Sequence, residues 1–354
     1  MKLKYYKNLD GVRAIAALMV IIFHFFSFNI INTYNYSWLV NFTKIAKFGQ
    51  TGVSLFFVLS GFVITRILIS SRESENYFKS FYIRRSLRIF PLYYLYLVIY
   101  FYVTPFLSGG SIVAFSNQLG SYFYLQNIAT TFKWIGFSSP NHFWSLAVEE
   151  HFYLFWPLLI YFFSLKRLPY IIGIVFFVSL ITKHILLINN YDIGYFTFTR
   201  IDQLSLGALL AYLEFNNNLN KNNSKLFVLL IIFSIALVGL TITIQNSNHY
   251  IKEMIKYPIL GLLYFSCIGW LVINSGKNQI NNFLQLNFLK FSGKISYGLY
   301  VYHPLAILVL KYFFQTGNIF IDFILVFLIT YLLAFLSYKY FESKFLVFKE
   351  RFNY

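Results

Sequence analysis

Arg13 and His24 are a charged and a titratable side chain within an otherwise apolar stretch, residues 9–25, with the sequence LDGVRAIAALMVIIFHF. Eleven residues of α-helix turn through about 1100°, within about 20° of three full turns. The two side chains therefore face the same way and lie roughly 16 Å apart along the helix axis. Asp10 lies one turn before Arg13 and can pair with it. Charged groups on a membrane helix face protein or water rather than lipid, so this stripe is the first candidate site.

A second titratable group lies in residues 141–157, NHFWSLAVEEHFYLFWP. Glu149 and Glu150 fall about two turns into a predicted helix, and His151 follows them. Carboxylates at that depth in a membrane are costly and usually functional. If this helix starts at the outer face and the first one at the inner face, Glu149 and His24 lie at comparable depth. Such a carboxylate–imidazole pair could act as a general base; the alternative is a buried ion pair that only ties helices together.

Three arginines form the third group, in residues 81–94, FYIRRSLRIFPLYY. Arg84 and Arg88 are four residues apart and share a helix face, with Arg85 alongside, just before the expected membrane entry at Pro91. Guanidinium groups bind phosphate through two parallel hydrogen bonds, so the cluster could be a phosphate clamp. The alternative is a positively charged cytoplasmic anchor of the helix.

The remaining candidates lie in apolar helices, where a packing role competes with a functional one: Ser60 beside Gly61, Asp202 after Arg200, Tyr297 and His303. A Ser-Gly pair usually marks close helix packing, and a lone histidine on an apolar face more often packs than catalyses. Four other polar residues are expected in loops or at the membrane interface: Lys183, His184, Asp192 and His249.

The composition is that of a membrane protein, with 58% hydrophobic and 12% charged residues among 354 and a mean hydropathy of +0.62. The apolar runs are continuous rather than alternating, which favours helices over a barrel. The sequence therefore predicts an all-α, polytopic membrane helix bundle, one domain over residues 1–354, with both termini cytoplasmic. The ten predicted spans are 12–31, 52–70, 89–107, 143–164, 171–188, 201–215, 226–245, 257–275, 295–315 and 319–341.

Positive charge supports this topology, because nineteen Lys and Arg residues fall in the predicted inner segments and six in the outer ones. Residues 111–130 are apolar but interrupted by Asn117, Gln118 and Gly120. We interpret them as a re-entrant or interfacial segment at the outer face, since a crossing there would invert every later loop.

The net charge of +17 suits anionic lipid headgroups and phosphates at the cytoplasmic surface. We expect no nucleic-acid partner, because the aromatic residues are not interleaved with basic ones. The single cysteine, Cys267, excludes a disulfide framework, and no metal-binding, P-loop or serine-hydrolase motif is present.

Six motifs, in order, resemble the acyltransferase family 3 of integral membrane proteins: LDGVRAIAALMVIIFHF, GVSLFFVLSGF, FYIRRSLRIFP, FWSLAVEEHFYLFWP, RIDQLSLGALLAY and ISYGLYVYHP. The resemblance covers about residues 9–341. It implies an O-acyltransferase of the plasma (bacterial inner) membrane, which moves an acyl group, usually acetyl from acetyl-CoA, to a hydroxyl of a cell-surface glycan or lipid-linked saccharide. Acyl-CoA would be a co-substrate, and no bound cofactor or metal is expected.

The resemblance also assigns residues. It implies that His24, Arg13 and Glu149 are catalytic, and that the donor is bound by the three arginines described above. His151 stands where relatives often have glutamine. Some members carry an additional SGNH-type esterase-like domain after the membrane part, which we do not expect here.

Two other functions stay open from the residues alone. A permease or lipid-linked glycan flippase would also place charges within its spans. A structural partner of a glycan polymerase would tolerate the loss of His24.

Reporter fusions at six loop positions test the predicted topology. Three should read as extracytoplasmic: those after Asn190, Gln245 and Gln315. Three should read as cytoplasmic: those after Arg167, Asn223 and Lys277. A consistent inversion beyond residue 107 would show that residues 111–130 cross the membrane.

Overall fold

The computed structural model describes residues 3–27, 37–243, 249–276 and 278–352, and the regular structure of these ranges is entirely helical, without a strand. The predicted all-α class is confirmed. Seven helices in these ranges are long and apolar enough to cross a membrane, so the chain is a multi-pass membrane protein. The number of spans beyond seven and the side of the termini stay predictions.

Seventeen α-helices are present in the described ranges. In chain order they are α1 Asn8–Ser27, α2 Ser37–Ala46, α3 Gly52–Ser71, α4 Tyr77–Val98, α5 Thr104–Ser108, α6 Phe115–Tyr122, α7 Gln126–Thr131, α8 Trp144–Phe162, α9 Leu168–Ile188, α10 Thr197–Phe215, α11 Ser224–Thr243, α12 His249–Ile273, α13 Gln279–Leu284, α14 Asn287–Lys294, α15 Ser296–Val309, α16 Ile319–Ser337 and α17 Ser343–Lys349. Short π-helical segments continue α4, α15 and α16: Ile99–Val103, Leu310–Phe314 and Tyr338–Glu342.

Every predicted span corresponds to a helix, although the ends of the first and seventh spans, residues 28–31 and 244–245, lie outside the described residues. The helices α8, α10 and α15 are not among the seven that meet the length and apolarity expected of a span. Polar residues explain this for α10, which carries Arg200, Asp202 and Glu214. Helix α15 is less apolar because its residues include His303 and three tyrosines.

Helix α4 begins before the predicted span 89–107. Its first residue is Tyr77 and it includes Pro91, and the point at which it enters the membrane stays a prediction. The stretch before Pro91 contains no helix-breaking residue, so the helix continues through the three arginines. The clamp candidates therefore lie on the helix itself.

The interrupted segment 111–130 forms two short helices, α6 with eight residues and α7 with six. At 1.5 Å per residue they are about 12 and 9 Å long, too short for a hydrocarbon core of about 30 Å. Neither helix can cross the membrane, as predicted; whether the segment is re-entrant or interfacial stays open.

The helices form two compact units that alternate along the chain. Unit 1 comprises Met1–Tyr5, Ser54–Tyr77 and Phe115–Asn278. Unit 2 comprises Tyr6–Val53, Phe78–Ala114 and Gln279–Tyr354. The assignment of residues 1–354 to a single domain stays a prediction.

Unit 2 is built around α1, whose surface of small residues lets other helices approach its backbone. Gly11 lies against the carbonyl of Leu284, and Gly293 of α14 lies against the carbonyl of Asp10. A methyl group at either glycine would overlap the facing oxygen. Three alanines of α1 are fully buried: Ala14, Ala16 and Ala17. Backbone contact through small residues is how membrane helices pack where no hydrophobic driving force acts between them.

Unit 1 is built in the same way around α10. Gly207 of α10 lies against the carbonyl of Val58 in α3, and Gly61 of α3 lies against the carbonyl of Leu204 in α10. The predicted packing role of the Ser-Gly pair is thus confirmed for Gly61. On the same helix α3, Thr65 Oγ1 accepts a hydrogen bond from Trp156 Nε1 of α8 at 2.8 Å. These contacts fix the polar residues of α8 and α10 described below.

Gly61→Ala should lower the thermal unfolding temperature of the detergent-solubilised protein by a few degrees. The added methyl group meets the Leu204 carbonyl, and overpacking of this kind costs about 1–3 kcal/mol. Gly173→Ala in α9 is the matched control, because open space surrounds that position. It should leave stability unchanged or raise it by up to about 1 kcal/mol through helix propensity. Equal melting temperatures for the two variants would contradict the close approach of α3 and α10.

Candidate active site

The polar stripe on α1 is formed as predicted at its first end. Arg13 Nη1 lies 2.9 Å from Asp10 Oδ1, one turn earlier, and both side chains are about one-fifth exposed. An ion pair with this exposure is partly screened by water and contributes little stability by itself. Its main consequence is to hold the Arg13 guanidinium on the His24 face of α1.

His24, at the other end of the stripe, lies beside His303 of α15 within unit 2. His303 Nε2 is 3.0 Å from His24 Nδ1, and the His303 side chain is fully buried. Each imidazole also faces a main-chain carbonyl of its own helix. His303 Nδ1 lies 2.6 Å from the Tyr300 oxygen, and His24 Nδ1 lies 3.0 Å from the Val20 oxygen. A packing role was expected for His303, and only the structure brings it to His24.

These contacts assign the protons of both rings. A carbonyl oxygen can only accept, so His303 Nδ1 carries a proton and donates it to Tyr300. The Nε2 of neutral His303 is then an acceptor. His24 Nδ1 faces this acceptor and the Val20 carbonyl, so it also carries the proton. The basic lone pair of neutral His24 is therefore on Nε2, because the hydrogen bond at one ring nitrogen decides the role of the other.

Glu149 lies in unit 1 and takes part in a short hydrogen-bonded chain. Tyr153, one turn later on α8, donates its hydroxyl to Glu149 Oε2 at 3.2 Å. Ser60 Oγ of α3 is hydrogen-bonded to the same Tyr153 oxygen. Because the tyrosine proton goes to the carboxylate, the serine donates to the tyrosine. Tyr153 was missed from the sequence, although its i+4 spacing from Glu149 was a signal.

His24 and Glu149 belong to different units. Within unit 2, His24 contacts the imidazole of His303. Within unit 1, Glu149 accepts a hydrogen bond from the hydroxyl of Tyr153. The predicted pairing of His24 with Glu149 stays a prediction.

The three arginines lie on α4 in unit 2 and differ in their surroundings. Arg84 Nη1 donates to the main-chain oxygen of Phe352 at 2.8 Å and to that of Lys349 at 3.4 Å. Arg85 lies over the ring of Phe81, with 5.9 Å between guanidinium carbon and ring centre. Arg88 is exposed. The cluster therefore combines Arg84, which is hydrogen-bonded to the main chain, with Arg88, which is accessible one turn away.

Tyr297 connects the arginine helix to the histidine helix. Its hydroxyl donates to the Ile89 carbonyl of α4 at 2.9 Å, while Tyr297 itself lies near the start of α15. The main chain at Ile89, next to Arg88, is thus hydrogen-bonded to α15, the helix that carries His303. Tyr297 positions these two helices.

Asp202 forms a buried ion pair that the sequence did not predict. Its Oδ2 lies 2.6 Å from Lys183 Nζ of α9, and both side chains have zero exposure. Lys183 was expected in a loop or at the interface, which is wrong. The lysine lies in an apolar helix, and burial is tolerated because the carboxylate compensates its charge. His184, Asp192 and His249 are exposed, in agreement with the expectation.

Arg200 is held next to this ion pair by aromatic rings. Its guanidinium carbon lies 3.8 Å from the ring centre of Tyr257, 5.4 Å from Phe57 and 5.5 Å from Trp144. Its Nη2 lies 3.3 Å from Ser54 Oγ. Ring faces stabilise a buried cation by their negative potential, so this arginine is part of the interior of unit 1 rather than a loop charge.

His151 forms a hydrogen bond within unit 1. Its Nδ1 lies 2.6 Å from Thr197 Oγ1, which also accepts from Asn127 Nδ2 at 2.7 Å. These contacts join α7 and α8 to the first residue of α10. The geometry indicates a structural role for His151.

Comparison with known proteins gives one family. Residues 6–339 match the family described as an acyltransferase domain. A protein of Staphylococcus aureus strain COL, provisionally named an O-acetyltransferase, is 30% identical over 97% of this chain and 58% of its own length. The O-acetyltransferase OatA of strain NCTC 8325 / PS 47 is 28% identical over 96% of this chain and 57% of its own length.

The chain thus spans less than two thirds of the length of these curated relatives. Among solved structures, none matches the chain significantly.

Asp202→Asn should destabilise the protein by about 3–5 kcal/mol, because it leaves the Lys183 charge buried without its counter-ion. Thermal unfolding in detergent and the amount of protein in the membrane measure this loss. The double variant Lys183→Met with Asp202→Leu removes both charges and should recover most of the stability. A single variant as stable as the wild type would show that the ion pair is dispensable.

Proposed function

The chain belongs to the acyltransferase family, and on this basis we propose that it is an O-acyltransferase of the plasma (bacterial inner) membrane. It moves an acyl group, in the first instance acetyl, from cytoplasmic acyl-CoA to a hydroxyl of an extracytoplasmic or cell-surface glycan. The names of the relatives, O-acetyltransferases, support acetyl as the acyl group. The excess of positive charge in the predicted inner loops supports the arrival of an anionic donor from that side.

The observation that carries the proposal is the orientation of His24. Two acceptors, the Val20 carbonyl and His303 Nε2, face its Nδ1, so its Nε2 is the basic nitrogen. A neutral imidazole with a fixed tautomer is suited to take a proton from a hydroxyl at neutral pH. The buried His303 holds the ring in this orientation.

In the reaction, His24 Nε2 takes the proton of the acceptor hydroxyl while the hydroxyl oxygen attacks the thioester carbonyl carbon. The carbon–sulfur bond then breaks, and the departing thiolate of CoA takes the proton back from His24. The imidazolium that exists between these steps is stabilised by His303, whose Nε2 lone pair accepts from the Nδ1 proton. Atoms and charge balance over the cycle, and the imidazole is regenerated.

Glu149 and Arg13 have the other catalytic roles in this proposal. The carboxylate of Glu149, held by Tyr153, would stabilise positive charge that develops on the imidazole. Arg13, fixed by Asp10 roughly 16 Å from His24 along α1, would attract the anionic donor at the inner end of the passage. Both roles rest on the resemblance to the family and on the chemistry of the groups.

The donor would be held at its phosphates by Arg84, Arg85 and Arg88. Planar guanidinium groups are suited to phosphate oxygens, and the exposed Arg88 is accessible to a ligand. Pantetheine is a long, thin arm, so a CoA bound by its phosphates at the inner surface could extend its thioester between helices. Membrane lipids would surround the protein, and the acceptor would be a glycan or lipid-linked saccharide.

His24→Gln should accumulate in the membrane at the wild-type level and lose acyl transfer roughly 10²–10⁴-fold, because an amide accepts no proton at neutral pH. Transfer of labelled acetyl from acetyl-CoA, with mass spectrometry of surface glycans, measures the effect. His184→Gln is the matched control, since His184 is an exposed histidine on α9 and should keep full activity. A fully active His24→Gln protein would exclude His24 as the base. If the glycan crossed the membrane without acylation, the protein would be a transporter instead.

His303 gives a separate test of the tautomer. His303→Gln keeps a side-chain acceptor and should retain more activity than His24→Gln, whereas His303→Leu removes the acceptor and should lose more. In both variants kcat should fall while KM for acetyl-CoA stays unchanged, since His303 acts through His24 rather than on the donor. A change confined to protein amount would assign His303 to packing alone.

A further inference from the structure

The end of the described chain contacts the arginine helix within unit 2. Helix α17 ends at Lys349, whose carbonyl accepts from the Phe352 N–H at 3.2 Å. Arg84 of α4 adds a side-chain donor at this end, because its Nη1 donates to the Phe352 oxygen at 2.8 Å and to the Lys349 oxygen at 3.4 Å. A guanidinium also suits the negative end of a helix dipole. Arg84 therefore holds the end of α17 against α4.

This contact brings Lys349 into a group of like charges. The positive charges of Arg88, Arg84 and Arg85 all act unfavourably on charged Lys349, and Glu350 acts favourably. One further carboxylate reaches the group, that of Glu342, which lies near Arg88 and accepts from Ser337 Oγ at 2.9 Å. Among the residues that the structure describes, four cations thus face two carboxylates.

Such an excess of positive charge in one place is unfavourable by itself, and more so beside a membrane, where water screens charges less. An anion with several oxygens removes the repulsion and satisfies the donors, as phosphate does with arginine and lysine. Lys349 is half-buried and Arg88 exposed, so a ligand can reach the group. The charges and their accessibility therefore indicate a site for a phosphate-bearing ligand.

We propose that Lys349 is the fourth cation of a phosphate-binding site formed with Arg84, Arg85 and Arg88, and that Arg84 is also the positioning residue that holds α17 there. The proposal extends the donor site of the proposed function. Lys349 lies beyond residues 6–339, so the family match does not assign it a role. The phosphate could belong to CoA or to a lipid headgroup, which present the same chemistry.

Binding of CoA to the purified full chain in phosphatidylcholine nanodiscs, measured by isothermal titration calorimetry, tests the proposal. Lys349→Ala should weaken CoA binding on the order of tenfold, the effect of one hydrogen bond between charged groups. Lys349→Arg should bind within about threefold of the wild type, because it keeps charge and donors. Lys344→Ala is the matched control: this lysine is exposed on the same helix and should have no effect.

A second arm identifies the source of the phosphate. Suppose that the wild type does not bind CoA but binds phosphatidylglycerol in preference to phosphatidylcholine, and that Lys349→Ala loses this preference. The phosphate site is then supported, and its ligand is a lipid headgroup. That result would remove the donor role of the arginines from the proposed function without touching His24. If Lys349→Ala matches both wild type and Lys344→Ala in the two arms, Lys349 is not part of a phosphate site and the proposal fails.

The positioning role of Arg84 has its own readout. Arg84→Ala should speed tryptic cleavage after Lys349 and Arg351, because the end of α17 loses its hold on α4. Arg85→Ala removes the same charge without that contact and should leave the cleavage rate unchanged. Equal cleavage of the two variants would show that Arg84 does not hold α17.

Discussion

Hydrocarbon offers no hydrogen-bond partner, so every polar side chain inside a membrane helix has to find one within the protein. Several buried groups among the described residues follow that constraint. Lys183 and Asp202, each with zero exposure, compensate one another at 2.6 Å, and the Arg200 charge is surrounded by ring faces at 3.8–5.5 Å. The same constraint brings His303 to His24. The positions of these side chains are thus consequences of desolvation as much as of function.

Such pairs form only where helices come close, and small residues make that possible. The alanine and glycine surface of α1 lets α14 approach its backbone, and Gly61 and Gly207 do the same for α3 and α10. A close and rigid contact keeps an imidazole at one orientation, which a general base needs. Packing of small residues and proton chemistry are therefore linked in unit 2: a substitution on the α1 surface would displace His24 without touching it.

Main-chain carbonyls have a larger part in the candidate chemistry than the charged residues alone indicate. The Val20 and Tyr300 oxygens decide which ring nitrogen of each histidine carries the proton. The oxygens of Lys349 and Phe352 decide where the Arg84 guanidinium points. In both places a side chain available for catalysis or binding is oriented by main-chain carbonyl oxygens. The proposed base and the proposed donor site thus use the same physical device.

The sequence by itself determined the helical class, the positions of the long apolar helices, the Asp10–Arg13 pair and the family, because hydropathy, i+3 spacing and ordered motifs are local properties of the chain. It also marked His24 and the three arginines as candidates. It did not reveal that His303 meets His24, that Lys183 is buried against Asp202, or that Lys349 joins the arginines. Their separations of 279, 19 and 265 residues are closed by helix packing. Hydropathy records how costly a polar residue is in a span, but only the tertiary structure decides which partner removes that cost.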